Sequence, residues 1–131
     1  MPFIHIKSLP FERPVDVPNA LKVIATDFAA KTGIELSHVH TTWEFYKSGH
    51  YAKGDRLSEH QPKKNYPIIV DLLTPDFNDL NVIAIMLEAI ADSISRQIQF
   101  PKNNIFINHR QAHTAMVFDD GEIVQWQQDN N

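Results

Sequence analysis

The sequence of 131 residues contains no cysteine, which excludes disulfide bonds, thiolate metal sites and cysteine nucleophiles. Its four glycines never form a glycine-rich loop at the start of a helix, and no Gly-x-Ser-x-Gly turn is present. No apolar run is long enough to cross a bilayer. We therefore expect one domain with no phosphate loop, no serine nucleophile turn, no membrane span and no cofactor.

Acidic residues outnumber basic ones, and the net charge of −4 argues against nucleic acid as the main partner. Residues 47–65 nevertheless carry five basic and two acidic side chains, or +3, so the remainder is −7. A cationic segment on an acidic protein suits a small anionic ligand, although a solvated basic loop explains it equally well. The first residues lack the basic start and apolar run of a signal peptide, so we expect a cytoplasmic protein.

The first half of the chain predicts a strand, a helix and a second strand. Residues 3–9 alternate in polarity and are rich in β-formers, and residues 38–46 are rich in Thr, Trp, Phe and Tyr. Between them, Asp16 caps a helix that opens through Pro18 and stops at Gly33. The apolar positions of this helix are Leu21, Ile24, Ala25 and Phe28.

The second half predicts the same order of elements. Residues 67–73 form an apolar strand, and residues 104–109 form the returning strand. The helix between them is capped by Asn78 or Asp79 and is expected to end at Pro101. Its apolar stripe contains Leu80, Ile83, Leu87, Ile90, Ile94 and Ile98.

A proline precedes the first strand of each half, Pro2 and Pro67, and their separation is about half the chain. We therefore predict an internal duplication, with pseudo-repeats at 1–51 and 66–118 joined by the basic segment 47–65 in a single domain of residues 1–131. The fold class is α+β. Right-handed crossovers place both helices on one face of a four-stranded mixed sheet.

The face of the sheet away from the helices is expected to carry Trp43 and Phe45, which makes oligomerisation the simplest way to cover it. A strong turn signal, Asp120-Gly121, also lies between two β-rich runs near the C-terminus and predicts a hairpin.

Pro2 is the candidate catalytic residue. Removal of Met1 would leave its nitrogen as a secondary amine, which an internal proline does not have. Burial beside apolar side chains disfavours the charged form of an amine, and the resulting base can abstract a proton next to a carbonyl at neutral pH. The simpler interpretation is that Pro2 only starts a strand, where proline needs no ladder donor.

The duplicated unit beginning Met-Pro resembles the tautomerase superfamily, typified by 4-oxalocrotonate tautomerase and macrophage migration inhibitory factor. Residues 4–6, Ile-His-Ile, resemble the first family strand, and residues 37–45, with Glu44, resemble the second. Residues 47–51 resemble a Lys-Gly-His-Phe segment with one insertion. Residues 106–108 and 115–117 resemble motifs of the cytokine-like branch. This pattern is typical of a divergent branch.

The resemblance implies a homotrimeric isomerase in which Pro2 is the general base for keto-enol tautomerisation of a small 2-keto acid or enol. Arg13 falls near the family's arginine that binds the substrate carboxylate, and Tyr51 falls on an aromatic wall of the pocket. Asn108 falls on a polar residue that an adjacent subunit supplies, and Phe106 stands in place of the family's tyrosine.

Val39 occupies the place of the family's second catalytic arginine, and His38 or His40 could instead donate a hydrogen bond to a developing oxyanion. On a strand, His38, His40 and Glu44 share one face and could hold a divalent metal, although partly buried, hydrogen-bonded histidines explain the pattern as well. Two alternatives to an enzyme therefore stay open: a metal-binding protein through these three residues, and a trimeric binding protein without catalytic activity.

Overall fold

Two helices cover one face of a four-stranded mixed sheet in the computed structural model, which describes residues 1–126. The order of strands across the sheet is β2-β1-β5-β6. The predicted α+β fold is confirmed. In chain order the elements are β1 (Phe3–Ser8), α1 (Val17–Thr32), β2 (His40–Phe45), β3 (Ala52–Lys53), β4 (Arg56–Leu57), β5 (Ile68–Pro75), α2 (Leu80–Ile98), β6 (Ile105–Ala112), β7 (Val117–Asp119) and β8 (Glu122–Val124).

Each half of the chain forms one parallel β-α-β unit, and the two units meet where β1 pairs antiparallel with β5. Phe3 pairs with His40 and Ile68 pairs with Ile105, an offset of 37 residues in each half. The two strand starts nevertheless face opposite sides of the sheet, since Phe3 is exposed and Ile68 is buried under the helices. Relative to the faces of the sheet, the strand after Pro2 is therefore shifted by one residue from the strand after Pro67. The case for a duplication rests on the order of elements alone.

The predicted N-caps of both helices are present. Asp16 accepts a hydrogen bond from the Asn19 backbone N–H at 3.1 Å, and Asp79 accepts one from that of Val82 at 2.9 Å. Gly33, with a φ of 76°, ends α1 in the left-handed conformation that glycine adopts without strain. These local contacts fix where each helix begins.

The end of α2 differs from the sequence prediction. The helix stops at Ile98 because Gln99 adopts a left-handed φ of 51°, two residues before Pro101. Leu80 is also not part of the buried stripe, since it is 83% exposed at the first helical position. The helix surface that meets the sheet is instead completed by Met86, which is fully buried.

The core lies between the helices and the sheet face that they cover, with Ile24 and Phe28 from α1 packed near Ile90 and Ile94 from α2. Burial of this apolar surface is the main favourable term for the fold. Within the described residues, no helix combines the length and apolar character that a membrane span requires.

The sheet face away from the helices carries different aromatic residues from those predicted. Trp43 pairs with the buried Ile6, so it lies on the helix side, where its Nε1 donates to Ser8 Oγ at 3.0 Å. Phe45 lies on that side too, because side chains alternate along a strand. Phe3 and Phe106 are the exposed aromatic residues of the open face.

Two short hairpins form separate two-stranded sheets beside the four-stranded one. The turn at Asp120-Gly121 joins β7 and β8 with positive φ at both residues, 51° and 83°, as predicted. The second hairpin, β3–β4, lies inside the basic segment and turns at Gly54, whose φ is 61°. The sequence did not predict it because two-residue strands leave no alternation to detect.

Candidate active site

Pro2 lies at the start of β1 and is buried. The backbone N–H of His40 donates to the Pro2 carbonyl at 3.0 Å, which extends the β1–β2 ladder to this residue. The ring of Phe3 stacks on the imidazole of His40, with ring centroids 4.4 Å apart. These contacts hold Pro2 in place at the end of the sheet where β1 begins, on the face that the helices cover.

A cavity of about 270 Å³ opens beside Pro2. It forms here because β1 and β5 are antiparallel, so the end of β5 and the start of α2 meet the start of β1, while the turn after α1 closes the side. Its polar lining residues are Glu35, His38, Thr74 and Asn78. Its apolar lining residues are Met1, Pro2, Ile34, Pro75, Phe77 and Met86.

The charge of this cavity is unusual for an anion site. Among the described residues that line it, Glu35 is the only carboxylate, and none is a lysine or arginine. His38 is exposed, and Asn78 Nδ2 already donates to the Pro75 carbonyl at 3.1 Å. Within one chain, the cavity therefore suits a small molecule with an apolar part better than a dianion.

Thr74 links the cavity to a histidine in the neighbouring strand. Its side chain is fully buried, and its Oγ1 lies 2.6 Å from Nε2 of His109 in β6. Burial lowers the pKa of His109 below its ordinary value, which favours the neutral imidazole. The pair presents a hydroxyl whose orientation a neutral imidazole controls.

The C-terminal hairpin is fixed next to the same cavity. The Asp76 carboxylate lies 3.0 Å from His113 Nδ1 and accepts a hydrogen bond from Trp126 Nε1 at 2.8 Å. Trp126 contacts the Phe77 ring edge-on, with centroids 6.1 Å apart, and Phe77 lines the cavity. The hairpin thus supports one wall of the Pro2 site.

Arg13 lies at the opposite end of β1, and a strand of six residues spans roughly 20 Å. Its guanidinium donates to the backbone carbonyls of Ile98 and Gln99, where it satisfies the C-terminal end of α2. It also lines a second cavity of about 600 Å³, together with residues 58–63. The structure does not bring Arg13 to Pro2 within one chain.

Tyr51 also lies away from Pro2. Its hydroxyl donates to the Pro67 carbonyl at 2.9 Å, and its ring packs edge-on against Tyr46 and Tyr66. Burial, with the neighbouring Tyr46 and Tyr66, raises the pKa of the Tyr51 hydroxyl. In this chain it fastens the basic segment to the start of β5.

Phe106 and Asn108 lie on the open face of the sheet, with Phe106 57% exposed. Beside Asn108, the Arg110 guanidinium forms a two-point ion pair with Asp71, through Nε at 2.9 Å and Nη2 at 2.6 Å. An exposed surface that combines an aromatic ring with ordered charges is typical of a contact between subunits. Neither Phe106 nor Asn108 lines the Pro2 cavity of its own chain.

Solved structures share this fold, although no protein-family model and no curated protein matches the sequence. A fused 4-OT symmetric trimer has a TM-score of 0.77 at 10% identity and covers 93% of this chain and 94% of its own. Pt0534 inactivated by 2-oxo-3-pentynoate has a TM-score of 0.75 at 10% identity, with the same coverage. Malonate semialdehyde decarboxylase has a TM-score of 0.66 at 8% identity, covering 92% and 91%.

The chain has the fold of these solved structures. The resemblance seen in the sequence is confirmed at the level of the fold, at sequence identities of 8–10%. Because these identities are so low, the likeness establishes the architecture, and the reaction has to be argued from the residues of this chain.

The alternative of a metal site at His38, His40 and Glu44 does not fit the structure. His38 lies in a 3-10 turn at Leu36–His38, before β2 begins, so it does not share a strand face with the other two. Glu44 instead lies 3.2 Å from His5 Nε2. Residues 1–126 contain no group of three or more His, Asp or Glu side chains placed to hold a metal ion. Nor are these histidines partly buried, since both are exposed.

The sequence analysis did not identify two residues that line the Pro2 cavity, Glu35 and Thr74, or His109 behind Thr74. Thr74 and His109 lie 35 residues apart and meet only through the parallel pairing of β5 with β6. Glu35 follows the Gly33 turn, whose direction sets which side chain points at the cavity. No local pattern carries this information.

Proposed function

We propose that this chain is a tautomerase-like enzyme in which Pro2, freed by removal of Met1, is the general base at the 270 Å³ cavity. The observation that carries the proposal is the burial of Pro2 at the mouth of a small, largely apolar pocket in this fold. Met1 lines the same cavity, so its removal would expose the Pro2 nitrogen to a bound molecule.

The chemistry follows from the state of that nitrogen. A secondary amine in apolar surroundings loses part of the hydration that stabilises its charged form, so its pKa falls toward neutrality. The neutral amine takes the hydroxyl proton of an enol and returns a proton to carbon, which gives the ketone with no net gain or loss of protons. The reverse sequence forms the enol.

The substrate class that we propose is a small 2-keto acid or enol with an apolar substituent. Phe77, Met86 and Ile34 would contact the apolar part, and the cavity volume limits the ligand to a small molecule. Glu35 and the lack of a lining cation disfavour diacids. A carboxylate would need a cation from another subunit, a role for which Arg13 and the basic segment 47–65 stay predictions.

A homotrimer is the assembly that we propose, because the open sheet face needs a cover. Phe3 and Phe106 are half-exposed there, beside the ordered Asp71–Arg110 pair. One protein of the same fold is described as a symmetric trimer. In such an assembly, Phe106 and Asn108 would lie at the contact between subunits, as the sequence resemblance implies.

The experiment follows ketonisation of phenylenolpyruvate by absorbance, with native protein whose N-terminus has been determined. A positioned general base contributes about 10²- to 10⁴-fold, so Pro2→Ala should lower kcat/KM by at least about 10²-fold. The matched control is Pro14→Ala, which alters an exposed proline that does not line the cavity and should retain most activity. Equal activity of Pro2→Ala and the wild type would refute the proposal and favour the binding-protein alternative.

A further inference from the structure

The Pro2 cavity needs a hydrogen-bond donor for the oxygen on which negative charge develops, and its polar lining residues are Glu35, His38, Thr74 and Asn78. Glu35 is an acceptor when ionised, one of the two Asn78 Nδ2 hydrogens is taken by the Pro75 carbonyl, and His38 is exposed. No lysine or arginine appears among the described lining residues. Thr74 is the lining residue whose hydroxyl is buried and has a second polar side chain behind it.

We propose that Thr74 is a catalytic residue that donates a hydrogen bond to the substrate oxygen, and that His109 is the positioning residue that orients its hydroxyl. This inference rests on the proposed function of Pro2. Thr74 Oγ1 lies 2.6 Å from His109 Nε2, whereas its other partner, the Pro75 carbonyl, is 3.4 Å away. The short contact therefore dominates the orientation of the hydroxyl.

The tautomer of His109 decides which way the hydroxyl points. With the proton on Nε2, the imidazole donates to Thr74 Oγ1, and the Thr74 hydrogen is left to donate into the cavity. As Pro2 removes a proton from carbon, negative charge moves to the carbonyl oxygen, and the Thr74 hydroxyl donates a hydrogen bond to that oxygen. His109 N–H then stabilises the charge that Thr74 takes up, and no proton has to leave the pair.

This arrangement would replace the arginine that the family resemblance leads one to expect on the second strand, where Val39 stands. It also predicts that the pair stabilises the transition state more than the bound substrate, since its hydrogen bond strengthens only as charge develops.

The experiment measures kcat and KM for phenylenolpyruvate in variants at both positions. Loss of an oxyanion donor typically costs 10²- to 10³-fold in kcat, so Thr74→Val should lower kcat by about 10²-fold with little change in KM. Thr74→Ser keeps the hydroxyl and should retain most of the rate. His109→Leu should resemble Thr74→Val, and His109→Gln, which places an N–H near the former Nε2, should restore part of the loss.

A double variant separates a positioning role from a purely structural one. If His109 acts through Thr74, the Thr74→Val/His109→Leu protein should be no slower than Thr74→Val alone. Thermal unfolding checks that each variant is folded. If Thr74→Val does not fold, Thr74→Cys replaces it in the same test. A thiol is of similar size but is a weaker hydrogen-bond donor, so Thr74→Cys should also lower kcat.

Three outcomes overturn the proposal. Thr74→Val with the kcat of the wild type, beside an inactive Pro2→Ala, would refute the donor role and leave the function of Pro2 intact. Additive losses in the double variant would refute the link through His109. Wild-type protein with a free Pro2 but no tautomerase activity would remove both the donor and the proposed function.

Discussion

Met86 connects the stability of the fold to the shape of the proposed site, and its truncation is the sharpest test of that connection. The side chain is fully buried in α2, belongs to the core and lines the Pro2 cavity. Met86→Ala removes three heavy atoms from this packed region. Buried Leu, Ile or Met to Ala changes cost about 2–5 kcal/mol, a large part of the roughly 5–15 kcal/mol that stabilises a domain.

The matched control is the preceding residue, Ile85, which is on the same helix but 49% exposed. We expect Ile85→Ala to cost well under half as much as Met86→Ala, because surface changes usually stay within about 0.5 kcal/mol. Met86→Leu conserves volume and should cost less than about 1.5 kcal/mol. Urea unfolding followed by circular dichroism measures all three.

The same variants report on the site. Met86→Ala enlarges the cavity, so KM for phenylenolpyruvate should rise while Ile85→Ala leaves it unchanged, since a loosened apolar wall weakens binding of the substrate's apolar part. Equal destabilisation by the two alanine variants would show that α2 does not pack as described. An unchanged KM in Met86→Ala would remove this cavity from the substrate site.

Three further predictions follow from other parts of the structure. Because burial lowers the pKa of His109, the unfolded chain binds a proton at this histidine more readily than the folded chain does. The contribution of His109 to the free energy of unfolding should therefore be complete above the ordinary histidine pKa of about 6.5 and decrease at lower pH. Urea midpoints between pH 5 and 8 would show this decrease, and it should be smaller in His109→Gln. If the proposed trimer forms through the open sheet face, Phe106→Glu should dissociate it in sedimentation velocity, whereas the exposed control Leu80→Glu should not. Asp79→Ala removes the cap of α2 and should cost about 1 kcal/mol in urea unfolding, against little change for Asp79→Ser.

The order of elements was predictable from the sequence because its signals are local. Caps at Asp16 and Asp79, the stop at Gly33 and the turn at Asp120-Gly121 each act within a few residues, and all four are present. The errors came where tertiary packing decides. The left-handed conformation of Gln99 ends α2 before Pro101 does, and no propensity of glutamine predicts it.

Side-chain faces were less predictable than elements, because a shift of one residue moves a side chain to the other face of a sheet. Starting β2 at residue 38 in place of His40 put His38 on one face with Glu44 and suggested a metal site as an alternative, which residues 1–126 do not form. Of the residues that line the Pro2 cavity, the sequence singled out Pro2 and His38. Thr74 and His109 meet through strand pairing, which the sequence does not display.

The proposed mechanism depends on a free N-terminal amine at Pro2, and one measurement tests for that amine most directly. Protein from its native host is incubated with 2-oxo-3-pentynoate, the compound that inactivates Pt0534, and the N-terminal peptide is sequenced by mass spectrometry. The account predicts a chain that begins at Pro2, carries one covalent adduct on the proline nitrogen and has lost its tautomerase activity. A chain that still begins with Met1, or full inactivation with an unmodified Pro2, would contradict it.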